Sequence, residues 1–173
     1  MGRQRSTDEA TLRRFIHGAE DLAALAEDLS VGDLDLRSEP DSWTIREIIH
    51  HVSDDGDVWS MCIKKALAMP GALVRFEGFP GNEAWSEALT FARRDVGPAV
   101  RLIRAHRCYL AEILAHFEGA WDRSIRLADA EGQVVREMSV RDIVTMLTDH
   151  MLEHVDTIKR APAGGGEGSD STA

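Results

Sequence analysis

Apolar residues return every three or four positions over four long stretches, the period of a helix with one buried face. In the first, Leu12, Phe15, Ile16, Ala19, Leu22, Ala23, Ala26 and Leu29 keep that spacing to about Ser30. Ahead of it, Ser6-Thr7-Asp8-Glu9 reads as a capping box, in which a hydroxyl and a carboxylate satisfy the first free amides. Thr44 and Glu47 repeat that device before Ile45, Ile48, Ile49, Val52, Trp59, Ile63, Ala66 and Leu67, with Trp43 placed to staple the entry against Ile48. This helix stops at Met69-Pro70-Gly71. A third restarts at Asp95-Val96-Gly97-Pro98 and runs to about Phe117 through Ala99, Leu102, Ile103, Leu110, Ile113 and Leu114. Proline suits a first turn, where its missing N–H would be unpaired anyway. The last opens at Ser139 with Asp142 and carries Ile143, Leu147, Met151, Val155 and Ile158 to about Arg160.

The connections differ in kind. Gly32 to Pro40 is a polar linker that Leu34 and Leu36 pin down. Pro70 to Asn82, with Gly71, Gly78, Pro80 and Gly81, predicts a long irregular connection able to wall a pocket. Glu83 to Arg94 predicts a further helical segment with Trp85, Leu89 and Phe91 inward. Ser124-Ile125-Arg126-Leu127 and Gln133-Val134-Val135-Arg136 alternate around a turn at Asp129-Ala130-Glu131-Gly132, the mark of a small hairpin. The fold class expected is all-α: a four-helix bundle with a small β-hairpin or irregular loop before the last helix. Residues 1–6 form an N-terminal arm in this reading, 7–160 the bundle, and the Gly- and Ser-rich 161–173 a disordered tail.

Composition narrows the partners. Of the 173 residues, 43% are apolar, enough for a core, and the formal charge of −10 argues against nucleic acid or an anionic membrane. No apolar run approaches the roughly 20 residues that span a bilayer, and the start lacks the apolar segment of a signal peptide. Cys62 and Cys108 stand alone on predicted helices, which speaks against a disulfide framework and for a reducing cytoplasm.

The candidate chemistry lies in histidines. His150 and His154 are four residues apart, one helical turn, so both imidazoles can reach one ion. His154 falls inside the apolar stripe of the last helix and His150 at its edge. An unpaired buried ring nitrogen costs roughly 1–3 kcal/mol; a metal would satisfy both rings, and so would a bond between them or to water. On the second helix, His50 lies about 150° from the centre of the stripe and faces water, whereas His51 lies about 110° away, at a border where a cleft opens. His51 is therefore the better third ligand, with Asp55 one turn on leaning further inward than Asp54. His106 sits in the apolar face of the third helix, either as a core histidine bonded to a carbonyl or water, or as an acid/base group; His17 is solvated and His116 lies near a border.

These residues resemble the DinB-like superfamily of metal-binding four-helix bundles, which includes the YfiT-like proteins. Its mark on the second helix is matched by Trp43-Thr44-Ile45-Arg46-Glu47-Ile48-Ile49-His50-His51, with the histidine eight positions after the tryptophan selecting His51, and Asp54 standing where an Asp is common. Its mark on the last helix is matched by His150 and His154. The resemblance runs from the first capping box to Ile158. Many members carry Gln three residues after the final histidine, where this chain has Thr157.

The resemblance implies a site of His51, His150 and His154 for a divalent metal such as zinc, nickel or manganese, with positions open to water or substrate. It also implies thiol S-transferases using mycothiol or bacillithiol, a maleylpyruvate isomerase domain and hydrolases as relatives, and homodimers among them. The function expected is a metal-dependent thiol S-transferase acting on a small electrophile, with Asp55 or His106 orienting the site or moving protons. Its rivals are a hydrolase using metal-activated water and a metal- or ligand-binding bundle without turnover. Solvent access at the triad discriminates the last of these. His150-Met151-Leu152-Glu153-His154 is not read as an inverted zinc protease motif: only nineteen residues follow His154, and Glu153 points away from the stripe. Arg75, Arg104 and Arg126 would suit an anionic cofactor, but among 20 basic residues each reads first as surface arginine.

Overall fold

The computed structural model describes residues 2–76 and 80–161, and side chains from residue 7 onward. Five helices and three strands follow in order: α1 (Gly2–Asp28), α2 (Ile45–Ala68), β1 (Ala72–Arg75), α3 (Asn82–Ala88), α4 (Gly97–His116), β2 (Ser124–Ala128), β3 (Val134–Ser139) and α5 (Val140–Arg160). The described residues are thus mostly helical, with four long helices, one short one and a small sheet. No helix among the described residues is long and apolar enough to cross a membrane.

Local chemistry sets the ends of the two helices that matter most. Thr44 Oγ1 accepts from the Glu47 amide and the Glu47 carboxylate accepts from the Thr44 amide. Ser139 and Asp142 do the same for α5. Each box satisfies amides that the first helical turn leaves free. In contrast, α1 begins at Gly2, upstream of the expected start, so Ser6 lies within the helix. The expected tail, residues 161–173, and Gly78 in the α2–α3 connection lie outside the described residues apart from Ala161.

α1 packs against α4 and α5, and α2 packs against the same two. The core divides into two clusters. One joins Ala19, Leu22, Ile48, Ile49, Val52, Ile103, Met151 and Val155. The other joins Phe15, Ile63, Leu110, Leu114, Ile125, Met138, Ile143 and Leu147. α5 runs through both, so its residues 147–151 lie at the junction. Gly18 permits the close approach of α1 there, because a Cβ at that position would stand 3.0 Å from Met151 Cγ.

The hairpin is present, with β2 antiparallel to β3 and Ile125 opposite Met138. Gly132 turns it with φ +85, a conformation open to glycine. The connection after α2, expected to be irregular, contributes a strand instead: β1 pairs parallel with β2, Ala72 opposite Ile125. The alternation of only four residues was too short to signal it. The segment expected to be helical over Glu83 to Arg94 breaks into α3 and a 3-10 turn at Phe91–Arg93, with Thr90 left-handed at φ 55 between them. Phe91 is buried as expected, whereas Leu89 is exposed.

Two faces are turned from their expected directions. On α4 the buried line runs through Val100, Ile103, Arg107, Leu110 and Leu114, while Leu102 is exposed. Arg107, 5% exposed, takes the central place expected for His106. Its guanidinium donates to the carbonyls of Phe15 at 3.1 Å and Leu147 at 2.9 Å and lies 3.9 Å over the Phe15 ring. Burial lowers its pKa to about 9, which leaves it charged at neutral pH. On α2, His50 is not in water but only 1% exposed. The 3-10 turn covers it, with the Phe91 ring 5.4 Å away. Arg46, the basic residue of the tryptophan-led motif, is also buried. It donates to Asp35 Oδ1 at 3.0 Å and to the carbonyls of Arg94 and Val31, which ties both linkers to α2.

Candidate metal centre

α2 and α5 place three imidazoles together. His51 Nε2 lies 3.2 Å from His150 Nε2, and His154 Nε2 lies 2.9 Å from the same atom. One ligand atom from each of the three histidines falls within 4.8 Å of the others. The edge-on meeting of His150 and His154 follows from the helical turn; the arrival of His51 follows from the packing of α2 on α5.

A ring nitrogen offers one in-plane hydrogen or one lone pair. His150 Nε2 therefore cannot satisfy both neighbours through hydrogen bonds. A cation shared by three lone pairs can. Metal–nitrogen bonds of about 2.0–2.1 Å give nitrogen–nitrogen edges of roughly 2.9–3.4 Å for octahedral to tetrahedral geometry, and the two short edges fall in that span. The donor set fits a divalent ion that accepts imidazole.

Burial prepares these rings to be neutral. It lowers the pKa of His51 to about 4, with the charge of His150 adding to the shift and Asp54 opposing it. It lowers that of His154 to about 3, with His150 and then His51 reinforcing it. Asp55 stands beside the triad, its Oδ2 3.4 Å from the outer nitrogen of His150, Nδ1, and 3.7 Å from His51 Nε2. Burial raises its pKa, the charge of His150 pulls the other way, and Asp54 adds to the rise. A carboxylate on the far nitrogen of a ligating imidazole orients the ring and strengthens it as a donor.

Two tryptophans pack around this stretch of α2. Trp43 meets His51 edge-on at 4.7 Å between centroids. Trp85 Nε1 donates to Asp54 Oδ2 at 2.8 Å, so Asp54 is held by α3 rather than turned to the triad. Thr157 does not reach the site either; its hydroxyl donates to the carbonyl of Glu153 at 2.9 Å.

His106 is elsewhere. Its Nδ1 lies 3.1 Å from Asp57 Oδ1, and it lines a cavity of about 10 Å³ with Arg107, Ser53 and Ser60, room for about one water. A larger cleft, about 360 Å³, touches the triad at His150 and is lined by Asp55, Trp59, Met146, Leu147, Asp149, His150 and Glu153. Trp59, Met146, Asp149 and Glu153 were not singled out from the sequence as part of a site. Trp59 follows Asp55 by one turn and Met146 precedes His150 by one, which is the signal that would have found them. Glu153 is exposed as expected, yet it lines the cleft. Arg75 and Arg126 belong to the sheet, and Arg104 pairs with Glu20 at 2.8 Å.

The sequence model of the DinB superfamily matches residues 14–158. The chain belongs to the DinB superfamily. Among solved structures, this DinB-superfamily chain is similar to YfiT from Bacillus subtilis, described as a probable metal-dependent hydrolase with an unusual four-helix bundle topology. The TM-score is 0.75 at 16% identity, over 87% of this chain and 83% of that one. It is also similar to a mycothiol-dependent maleylpyruvate isomerase, with a TM-score of 0.61 at 15% identity over 87% of this chain. The DinB chain spans 60% of the isomerase. A histidine-to-alanine mutant of that isomerase matches with a TM-score of 0.62 at 16% identity, over 92% of this chain and 63% of that one. At these identities the likeness is one of fold. No curated protein matches the sequence significantly.

Proposed function

We propose that the chain is a four-helix-bundle enzyme that holds a divalent metal on His51, His150 and His154 and catalyses thiol transfer to a small electrophile. The observation that carries this reading is the convergence of three ring nitrogens beside an open cleft. A cleft of about 360 Å³ adjoins His150 and Asp55 on one side of the triad, which supports an enzyme over a scaffold closed to solvent.

A divalent ion on three neutral imidazoles keeps its full charge and supplies Lewis acidity, which favours the thiolate form of a thiol or the ionised form of water. The chain's own groups do the rest. Asp55 orients His150 through Nδ1 and, with its raised pKa, is suited to take up the proton that the thiol loses. The sulfur–carbon bond then forms as the electrophile's leaving group departs with its electron pair. Trp59, Met146 and Leu147 exclude water from one wall. His106 has no part in these steps, because it lines a different cavity.

Thiol transfer is the first reading because a thiol-dependent enzyme has this fold; hydrolysis is the second because YfiT, described as a probable hydrolase, shares more of it. One assay separates them. Metal content is measured by mass spectrometry on the purified chain and on a His51→Ala, His150→Ala double variant. Turnover of a generic electrophile is then followed with and without added thiol. Near-stoichiometric metal lost in the variant, with turnover that needs both metal and thiol, is the expected result. Metal-dependent, thiol-independent hydrolysis would move the assignment to the second reading. Failure of both proteins to hold metal under chelator-free handling would end the metal reading.

A further inference from the structure

The walls of the cleft carry a charge preference that the triad alone does not explain. Its lining combines three carboxylates, Asp55, Asp149 and Glu153, with the apolar Trp59 and Met146, and no lysine or arginine is among the described lining residues. The three carboxylates are not equivalent. Asp55 lies against His150 and His51. Asp149 is held at 3.1 Å by Arg14 on an exposed rim. Glu153 is exposed, and its carboxylate makes no ion pair among the described residues. With a divalent ion in place, Asp55 offsets part of the positive charge, Asp149 is matched by Arg14, and Glu153 is left as a free negative charge at the mouth.

An aromatic ring beside an uncompensated carboxylate is the pairing that attracts an organic cation, through the ring's quadrupole and the charge together. An anion at the same place meets Glu153 and Asp149 first. The volume lies within the roughly 300–1,000 Å³ of small-molecule sites. We infer that this cleft selects a small molecule with a positive charge next to an apolar or aromatic part, its cationic group toward Glu153 and Asp149 and its apolar part against Trp59 and Met146. The remaining end then faces His150. This inference names the substrate class of the proposed enzyme and rests on that reading for its chemistry, though not for the binding itself.

Calorimetric titration of the full chain tests it, in metal-loaded and chelator-treated samples, with three probes. Benzyltrimethylammonium is a permanent cation that cannot ligate a metal; benzyl alcohol is neutral; phenylmethanesulfonate is an anion. The cation should bind about tenfold more tightly than the alcohol in both samples, and the sulfonate more weakly than either. Glu153→Gln should remove most of the cation's advantage and leave the alcohol unchanged, while Trp59→Leu should weaken both. Glu153 is exposed, so its variant tests charge without disturbing the core. Equal affinity for cation and alcohol, preference for the sulfonate, no binding of any probe, or an advantage that survives Glu153→Gln would each overturn the inference. The same samples separate it from the metal reading. Cation preference without metal loading retains the inference and defeats the metal site; metal loading without cation preference does the reverse.

Discussion

Two histidine–aspartate contacts flank α2, and they have different fates. On one side Asp55 lies 3.4 Å from His150 Nδ1; on the other Asp57 lies 3.1 Å from His106 Nδ1. The pairs are alike in chemistry and the second is shorter. What differs is the company. Beside Asp55, three rings converge and a cleft of about 360 Å³ opens. Beside His106, the neighbours are Arg107, two serines and apolar side chains around about 10 Å³. A divalent ion there would find one imidazole and a buried guanidinium charge of its own sign. A histidine beside a carboxylate is therefore not a site; the number of lone pairs aimed at one point, and the space next to them, decide.

The sharpest break of this comparison is metal content. His150→Ala removes the atom common to both short edges and should abolish near-stoichiometric binding, while His106→Ala should leave it intact; mass spectrometry of both variants reads the difference. Loss of metal in a folded His106→Ala protein would mean that the two sides are coupled. Next in size is Arg107. Its replacement by alanine removes the second donor from two helix carbonyls and leaves a void under Phe15, a loss of about 2–4 kcal/mol by denaturant titration, with metal binding retained. A stability within experimental error of wild type would remove Arg107 as the organiser of that side.

Acid should act on the triad side. In the metal-free protein His51 and His154 are held near 4 and 3, below the ordinary 6.5. The unfolded chain therefore takes up protons first as pH falls through about 6.5, and stability declines until the folded protein protonates as well, near 4 and then 3. The decline should reach several kcal/mol, and His51→Gln, His154→Gln should flatten it in thermal melts across that range. An unchanged slope would mean that these rings are not neutral in the fold. The smallest effects belong to the caps. Thr44→Ala and Ser139→Ala should each cost about 1 kcal/mol, measured by melting temperature, and should leave metal stoichiometry unaltered because the triad lies beyond the first turn of each helix.

Much of the frame was legible in the chain. The boxes at Thr44 and Ser139 carry their own geometry, and the hairpin announced itself through alternation around Gly132. Other features were not local. Apolar counting centres the buried face of α4 on His106, because it has no place for a buried arginine; Arg107 is inside because carbonyls of α1 and α5 meet it. Periodicity puts His50 in water, because nothing near it in sequence reveals that Phe91, 41 residues later, folds over it.

The sequence by itself determined which residues are able to act: His150 and His154 share a turn wherever α5 goes, and helical periodicity together with the tryptophan-led motif marked His51. Only the tertiary structure decided that they come together. Periodicity reports the angle of a side chain about its own helix, which is enough to pair residues four apart. It carries nothing about the distance between helices, the turn that covers one of two adjacent histidines, or the carboxylates that α5 and α2 bring to one cleft. Those depend on contacts between residues far apart in the chain, set by packing.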